Sequence, residues 1–200
     1  MQKTIKILLA SQNPGKLREL QAILHDLPIQ LVTPADLDIQ LDVKETGSTY
    51  AENAALKSKA YADVCGCITL ADDSGLEVDA LNGAPGLYSA RYAPAPNATD
   101  GDRRTYLLQN LVGAPRPWTA RFRATIAITL PGGKTRFADG ACEGEIIPEE
   151  RGDGGFGYDP IFFIREAGCT MAELDEEEKN RISHRARALE KAKEILMELV

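Results

Sequence analysis

Positive charge is scarce in this chain: 23 Lys and Arg stand against 30 Asp and Glu, a formal net charge of −7. That deficit excludes a general nucleic-acid binder, whose affinity comes from counterions released by a basic face. It does not exclude a small polyanion held by a few local cations and a divalent metal. Long hydrophobic runs are missing too, so no segment reads as a membrane span, and the apolar run in MQKTIKILLA is too short for a signal peptide. The expected location is the cytoplasm. Cysteine is limited to Cys65, Cys67, Cys142 and Cys169. The Cys65-Gly66-Cys67 pair lacks the two-residue gap and the second pair of a zinc ribbon, so the thiols are assigned no function. Repeats, low-complexity tracts and linkers are absent, which leaves residues 1–200 as a single domain long enough for a substantial core.

What is present is an alternation of strand and helix patterns. Ile5 to Ala10 reads as a buried first strand, followed by a helix with Leu17, Leu20, Ile23, Leu24 and Leu27 on one face. A short strand near Gln30 to Val32 leads into an acidic loop. Thr49 and Glu52 form a capping box that opens a helix running to about Val64. A strand over Cys67 to Ala71 is expected to end in an acidic turn before a further strand from Leu76 to Leu81. Thr99-Asp100 caps another helix through Val112, and Arg121 to Leu130 alternates as a strand. Gly132-Gly133 closes a long antiparallel hairpin, and a last helix starts near Ser183. The expected fold is a single α/β domain: a mixed central sheet flanked by helices, with the active site in a cleft at the strand ends.

Four stretches carry chemistry. Ser11-Gln12-Asn13-Pro14-Gly15-Lys16 turns from a strand into a helix, where amides and the helix dipole favour an anion. It lacks the glycine spacing and the hydroxyl after the lysine of a Walker A loop, so it is either a phosphate site of another kind or a well-capped helix start. Glu45, Asp72 and Asp73 come from separate loops and make a hard oxygen set suited to Mg²⁺, or else a solvated acidic turn. Gly154-Gly155-Phe156-Gly157-Tyr158-Asp159 lets backbone approach a ligand while an aromatic ring is held up for stacking; a flexible hairpin tip is the alternative. Lys179 precedes a Ser183 cap that leaves His184 and Arg185 in the first turn of the last helix, where the dipole disfavours cations, which implies an anionic or carbonyl-bearing ligand or a salt bridge.

Taken in order, SQNPGK, ETGSTYAENA, ADDSGLEVDALNGAPGLYSARY, GGFGYDPIFF and EEKNRISHRARAL make the chain resemble the inosine triphosphate pyrophosphatase family, the XTP/dITP diphosphatases. The matching segments span nearly the whole chain. The resemblance implies Mg²⁺-dependent hydrolysis of ITP, XTP and dITP to the monophosphate and pyrophosphate by a homodimer. It implies that Ser11, Gln12, Asn13, Pro14, Gly15 and Lys16 hold the triphosphate. Glu45 and Asp73 would serve the metal, Asp73 would also be the proton acceptor, and Ser74 would touch substrate. Phe156, Gly157, Tyr158 and Asp159, with Lys179, His184 and Arg185, would grip the nucleotide, and Asn53 and Lys57 could also face the phosphates. Two rivals stand beside it: a septum-inhibitor-like pyrophosphatase, whose Ser-Pro-Arg-Arg start is missing here, and a non-catalytic nucleotide sensor.

Overall fold

A computed structural model describes residues 5–199. The reading of the chain's start as free of a signal peptide falls partly on residues 1–4, which lie outside them. Seven strands form one mixed sheet in the order β2-β1-β3-β4-β5-β6-β7. They are β1 (Ile5–Leu9), β2 (Ile29–Val32), β3 (Ile68–Val78), β4 (Trp118–Thr129), β5 (Thr135–Ile146), β6 (Phe162–Ile164) and β7 (Cys169–Thr170). The helices are α1 (Pro14–Leu24), α2 (Tyr50–Cys65), α3 (Asp100–Asn110), α4 (Glu176–Ile182) and α5 (His184–Met197). β1 pairs parallel with both β2 and β3, whereas β5, β6 and β7 pair antiparallel. β4 and β5 are the arms of the expected hairpin, turned over Leu130 to Lys134. Among the described residues no helix is long and apolar enough to cross a membrane.

The chain divides into two compact units. The first comprises residues 1–73, 124–140 and 185–200. Its parallel strands β1 and β3 are covered on both faces, as such strands require. Ile7, Leu9 and Leu70 pack with Leu20, Ile23 and Leu24 of α1 and with Leu189, Ala192 and Leu196 of α5. Leu8, Ala10 and Ala71 pack with Tyr61 of α2 on the other face. Odd and even residues of β1 thus serve different layers, the two-residue period of a strand. The second unit comprises residues 74–123 and 141–184. There Leu107 and Leu111 at the end of α3 pack with Leu76, Val78, Phe122, Ile146, Tyr158 and Phe162.

Two local expectations need correction. The acidic turn does not exist: residues 68–78 run as one strand through Asp72-Asp73-Ser74-Gly75. The capping box at α2 is half formed. Thr49 accepts from the Glu52 amide at 3.1 Å, but the Glu52 carboxylate accepts from the Ser48 amide and hydroxyl at 2.6 and 2.8 Å. The box at α3, Thr99 with Asp102, is complete.

Candidate active site

Why β3 tolerates adjacent acids follows from its being a strand. Successive side chains leave opposite faces, so Asp72 follows Leu70 toward α1 and α5, and Asp73 follows Ala71 toward α2. Each acid meets its own cations. The Asp72 carboxylate is 2.6 Å from the Lys16 ammonium and 3.3 Å from the Arg185 guanidinium. Arg185 also pairs with Glu19, one turn after Lys16 on α1. On the other side, the Lys57 ammonium donates to Glu45 Oε1 at 2.7 Å, to the Asp72 carbonyl at 2.8 Å and to Asp73 Oδ1 at 3.3 Å.

The two acids are electrostatic opposites. Burial disfavours an ionised Asp72, but Arg185 and Lys16 outweigh it and hold the carboxyl well below the usual carboxylate range. Burial pushes Asp73 up, and Glu45 and Asp72 add to this; Lys57 and Lys16 counter it only in part. Burial pulls the Lys16 ammonium down, against Asp72. For Lys57 burial acts in the same sense, but Asp73 and Glu45 prevail and raise it. One aspartate is therefore a fixed anion and its neighbour a carboxylate with raised proton affinity.

The first turn supports this cluster. Asn13 caps α1, its side chain accepting from the Lys16 amide at 3.0 Å, and Pro14 takes the first helical position, where no amide is missed. Ser11 Oγ accepts from the Asn13 amide at 3.2 Å, and Gln12 donates to the Leu41 carbonyl at 3.3 Å. Gln12, Asn13 and Pro14 are exposed, with Gly15 and Lys16 half-buried behind them. Asn53 is buried, and its side chain accepts from the Gly47 amide at 2.8 Å, bracing the loop that carries Glu45.

A second cluster lies in the other unit. Asp159 Oδ2 accepts from the Phe156 amide at 2.9 Å and from the buried Lys179 ammonium at 2.7 Å. That ammonium lies 4.9 Å from the centre of the Phe156 ring, a cation–π contact. Gly155 has φ +70, and an added Cβ would stand 2.1 Å from Asp159 Oδ2, so only glycine fits there. The Tyr158 hydroxyl donates to the Ser89 carbonyl at 2.9 Å. His184 is buried and stacks on Phe122 with ring centres 4.7 Å apart and 14° between planes. Ser74 is half-buried in β3.

The candidates predicted from sequence thus fall into two groups. Lys16, Glu45 and Asp73 join Asp72 and Arg185 in one; Phe156, Asp159 and Lys179 form the other. Arg185, expected among the residues that grip the nucleotide, is buried and pairs with Asp72 and Glu19. Ser183 separates α4 from α5 in extended conformation (φ −66, ψ 161), so His184 and Arg185 begin α5 in adjacent positions with different surroundings. Sequence reasoning missed Glu19; its place three residues after Lys16, on the same helical face, was the available signal. Among the described residues no three His, Cys, Asp or Glu side chains form a metal-holding group.

The chain matches the Ham1 family over residues 7–195. It is 50% identical over 196 residues to a protein of Desulforamulus reducens named dITP/XTP pyrophosphatase, covering 98% of this chain and 97% of that one. A Thermus thermophilus protein of the same name is 48% identical over 192 residues, covering 94% and 90%. The solved structure of a HAM1 protein from Coxiella burnetii superposes with a TM-score of 0.89 at 44% identity, covering 98% of this chain and all of that one.

Proposed function

The chain belongs to the Ham1 family, and on that premise we propose that the charged cluster on β3 is the reaction centre of a purine nucleoside triphosphate pyrophosphatase. The enzyme hydrolyses dITP, ITP and XTP to the monophosphate and pyrophosphate. The observation that carries this site is the pair of unlike acids: Asp72 fixed as an anion by Lys16 and Arg185, and Asp73 with its carboxyl raised by burial. A desolvated carboxylate takes a proton more readily than a free one, which suits a general base.

In this reading Asp73 takes a proton from a water molecule as the water oxygen bonds to the α-phosphorus. The bond from that phosphorus to the bridging oxygen breaks, and pyrophosphate leaves with the electron pair. Lys16 offsets charge growing on the phosphate oxygens, and the turn from Ser11 to Gly15, exposed at Gln12, Asn13 and Pro14, orients the triphosphate. Glu45 and Asp73 fit Mg²⁺: both are hard oxygen donors, and one cation, the Lys57 ammonium, already lies within 2.7 and 3.3 Å of them. Mg²⁺ asks for only one or two protein carboxylates beside substrate phosphates and water, so a larger acidic cage is not required. Bound there, the ion would neutralise phosphate charge and polarise the phosphoryl group.

Phe156 offers a face for the purine, and His184, its ring held against Phe122, is the donor to the 6-keto oxygen of hypoxanthine or xanthine. Arg185, the other predicted donor, pairs with Asp72 and Glu19. Adenine presents an amino group there; an unmatched buried donor costs about 1–3 kcal/mol, which disfavours ATP. Residues 1–200 act as one pyrophosphatase domain, as a cytoplasmic homodimer, and the charge of −7 argues against nucleic acid as a partner. Purified protein supplied with ITP, XTP, dITP, ATP and GTP, with Mg²⁺ or with EDTA, tests the reading. Pyrophosphate released from the first three and abolished by EDTA is expected. Orthophosphate as the first product, or binding without turnover, would overturn it.

A further inference from the structure

Helix α3 carries no role in the reading above, yet it grips the loop that bears Phe156. Gly157 sits at φ +65 and has no side chain, so the loop can be held there only through its backbone. The Gly157 amide, which belongs to the peptide joining it to Phe156, donates to Asp100 Oδ2 at 2.8 Å. The Gly157 carbonyl, which belongs to the next peptide, accepts from Arg104 Nη1 at 2.8 Å. Asp100 and Arg104 are four residues apart and so lie on one face of α3.

Each of them is itself fixed. Arg104 forms a two-pronged bridge to Glu150, with Nε and Nη2 at 2.9 and 2.8 Å from its two oxygens. The Arg104 side chain remains 15% exposed, whereas Glu150 is 46% exposed, so the bridge orients the guanidinium more than it stabilises the fold. Asp100 pairs with Arg103, whose guanidinium also donates to the Ala98 carbonyl at 2.6 Å. Burial opposes the Asp100 anion, but the Gly157 amide and Arg103 outweigh it and keep the carboxyl below its ordinary value.

We propose that Asp100 and Arg104 are positioning residues for purine recognition: by holding the peptide planes on both sides of Gly157, they set the plane of the Phe156 ring. Neither touches the reacting atoms. Their effect falls on how well a purine is bound, not on how fast its phosphate is cleaved. This rests on the reading that Phe156 meets the base.

Two measurements test it on the full-length protein. The first is amide hydrogen exchange of the segment around Gly157 without nucleotide. In Arg104→Met and Asp100→Ala, loss of a charge-assisted hydrogen bond should speed exchange there about tenfold while α5 and β1 are unchanged. The second is ITP and ATP kinetics. KM for ITP should rise about fivefold with kcat within about twofold, and the ITP-to-ATP preference should shrink. Arg104→Lys, which reaches only one of the two partners, should recover part of the KM. Unaltered exchange at Gly157 would overturn the clamp. Faster exchange with unchanged KM and preference, or an equal fall in kcat, would overturn its role in purine binding. A wild-type protein that releases no pyrophosphate would instead overturn the pyrophosphatase reading, and exchange would still decide the clamp.

Discussion

Asp72 and Asp73 are the same residue type in consecutive positions, yet substitution to asparagine should act on them in opposite directions. Asp72→Asn leaves Lys16 and Arg185 buried without their shared anion, and breaking such a pair costs about 3–5 kcal/mol. Urea unfolding at neutral pH should show this loss; a change within experimental error would mean the cations are satisfied elsewhere. Because the Asp72 carboxyl is depressed below its ordinary 3.8, its contribution is present above that pH and is lost as pH falls toward the lower folded value. The Asp72→Asn deficit should therefore shrink on acidification. Asp73 has the reverse sign. Its raised carboxyl lets the folded state bind the proton first, so its ionisation lowers stability as pH climbs from 3.8 through the folded value. Metal-free Asp73→Asn should be at least as stable as wild type at pH 7 while losing pyrophosphate release by at least about a hundredfold. Retained activity in that variant would remove Asp73 as the base.

The arrangement depends on β3, on the capped helix starts and on the glycine-rich loop. β3 converts a repulsive pair into two separated charges by the alternation of a strand; a turn would have put both acids on one side. The sequence led to the wrong element there because Asp-Asp-Ser-Gly is turn chemistry locally. Tertiary partners on α1, α2 and α5 decide otherwise, and those partners lie up to 113 residues away from Asp72. Boundaries set by local signals were readable: a helix starts within the Ser11 to Lys16 stretch and another behind Thr99, as expected. The glycine-rich loop is the third piece. Gly155→Ala would drive a methyl group onto Asp159 Oδ2 and strain a φ of +70. A destabilisation of about 1–3 kcal/mol with a large rise in KM for ITP is expected. Kinetics at wild-type level would show that the loop rearranges freely.

For the whole molecule, the order of five motifs along the chain made the family legible, and membership of the Ham1 family agrees with it. The roles of single residues were less legible, because ion-pair partners are set by packing and not by spacing. Arg185 shows this best: its neighbour His184 stacks on Phe122 while Arg185 itself pairs with Glu19 and Asp72. The proposed homodimer predicts a mass of about twice the chain's 21.7 kDa in sedimentation equilibrium, and a monomer at micromolar concentration would contradict it.

In the proposed reaction water attacks the α-phosphorus, and the phosphorus attacked can be read directly. ITP should be hydrolysed in ¹⁸O-enriched water with Mg²⁺, and the products analysed by mass spectrometry. One ¹⁸O is expected in the inosine monophosphate and none in the pyrophosphate. Label in the pyrophosphate, or inosine diphosphate and orthophosphate as the first products, would contradict the proposed reaction.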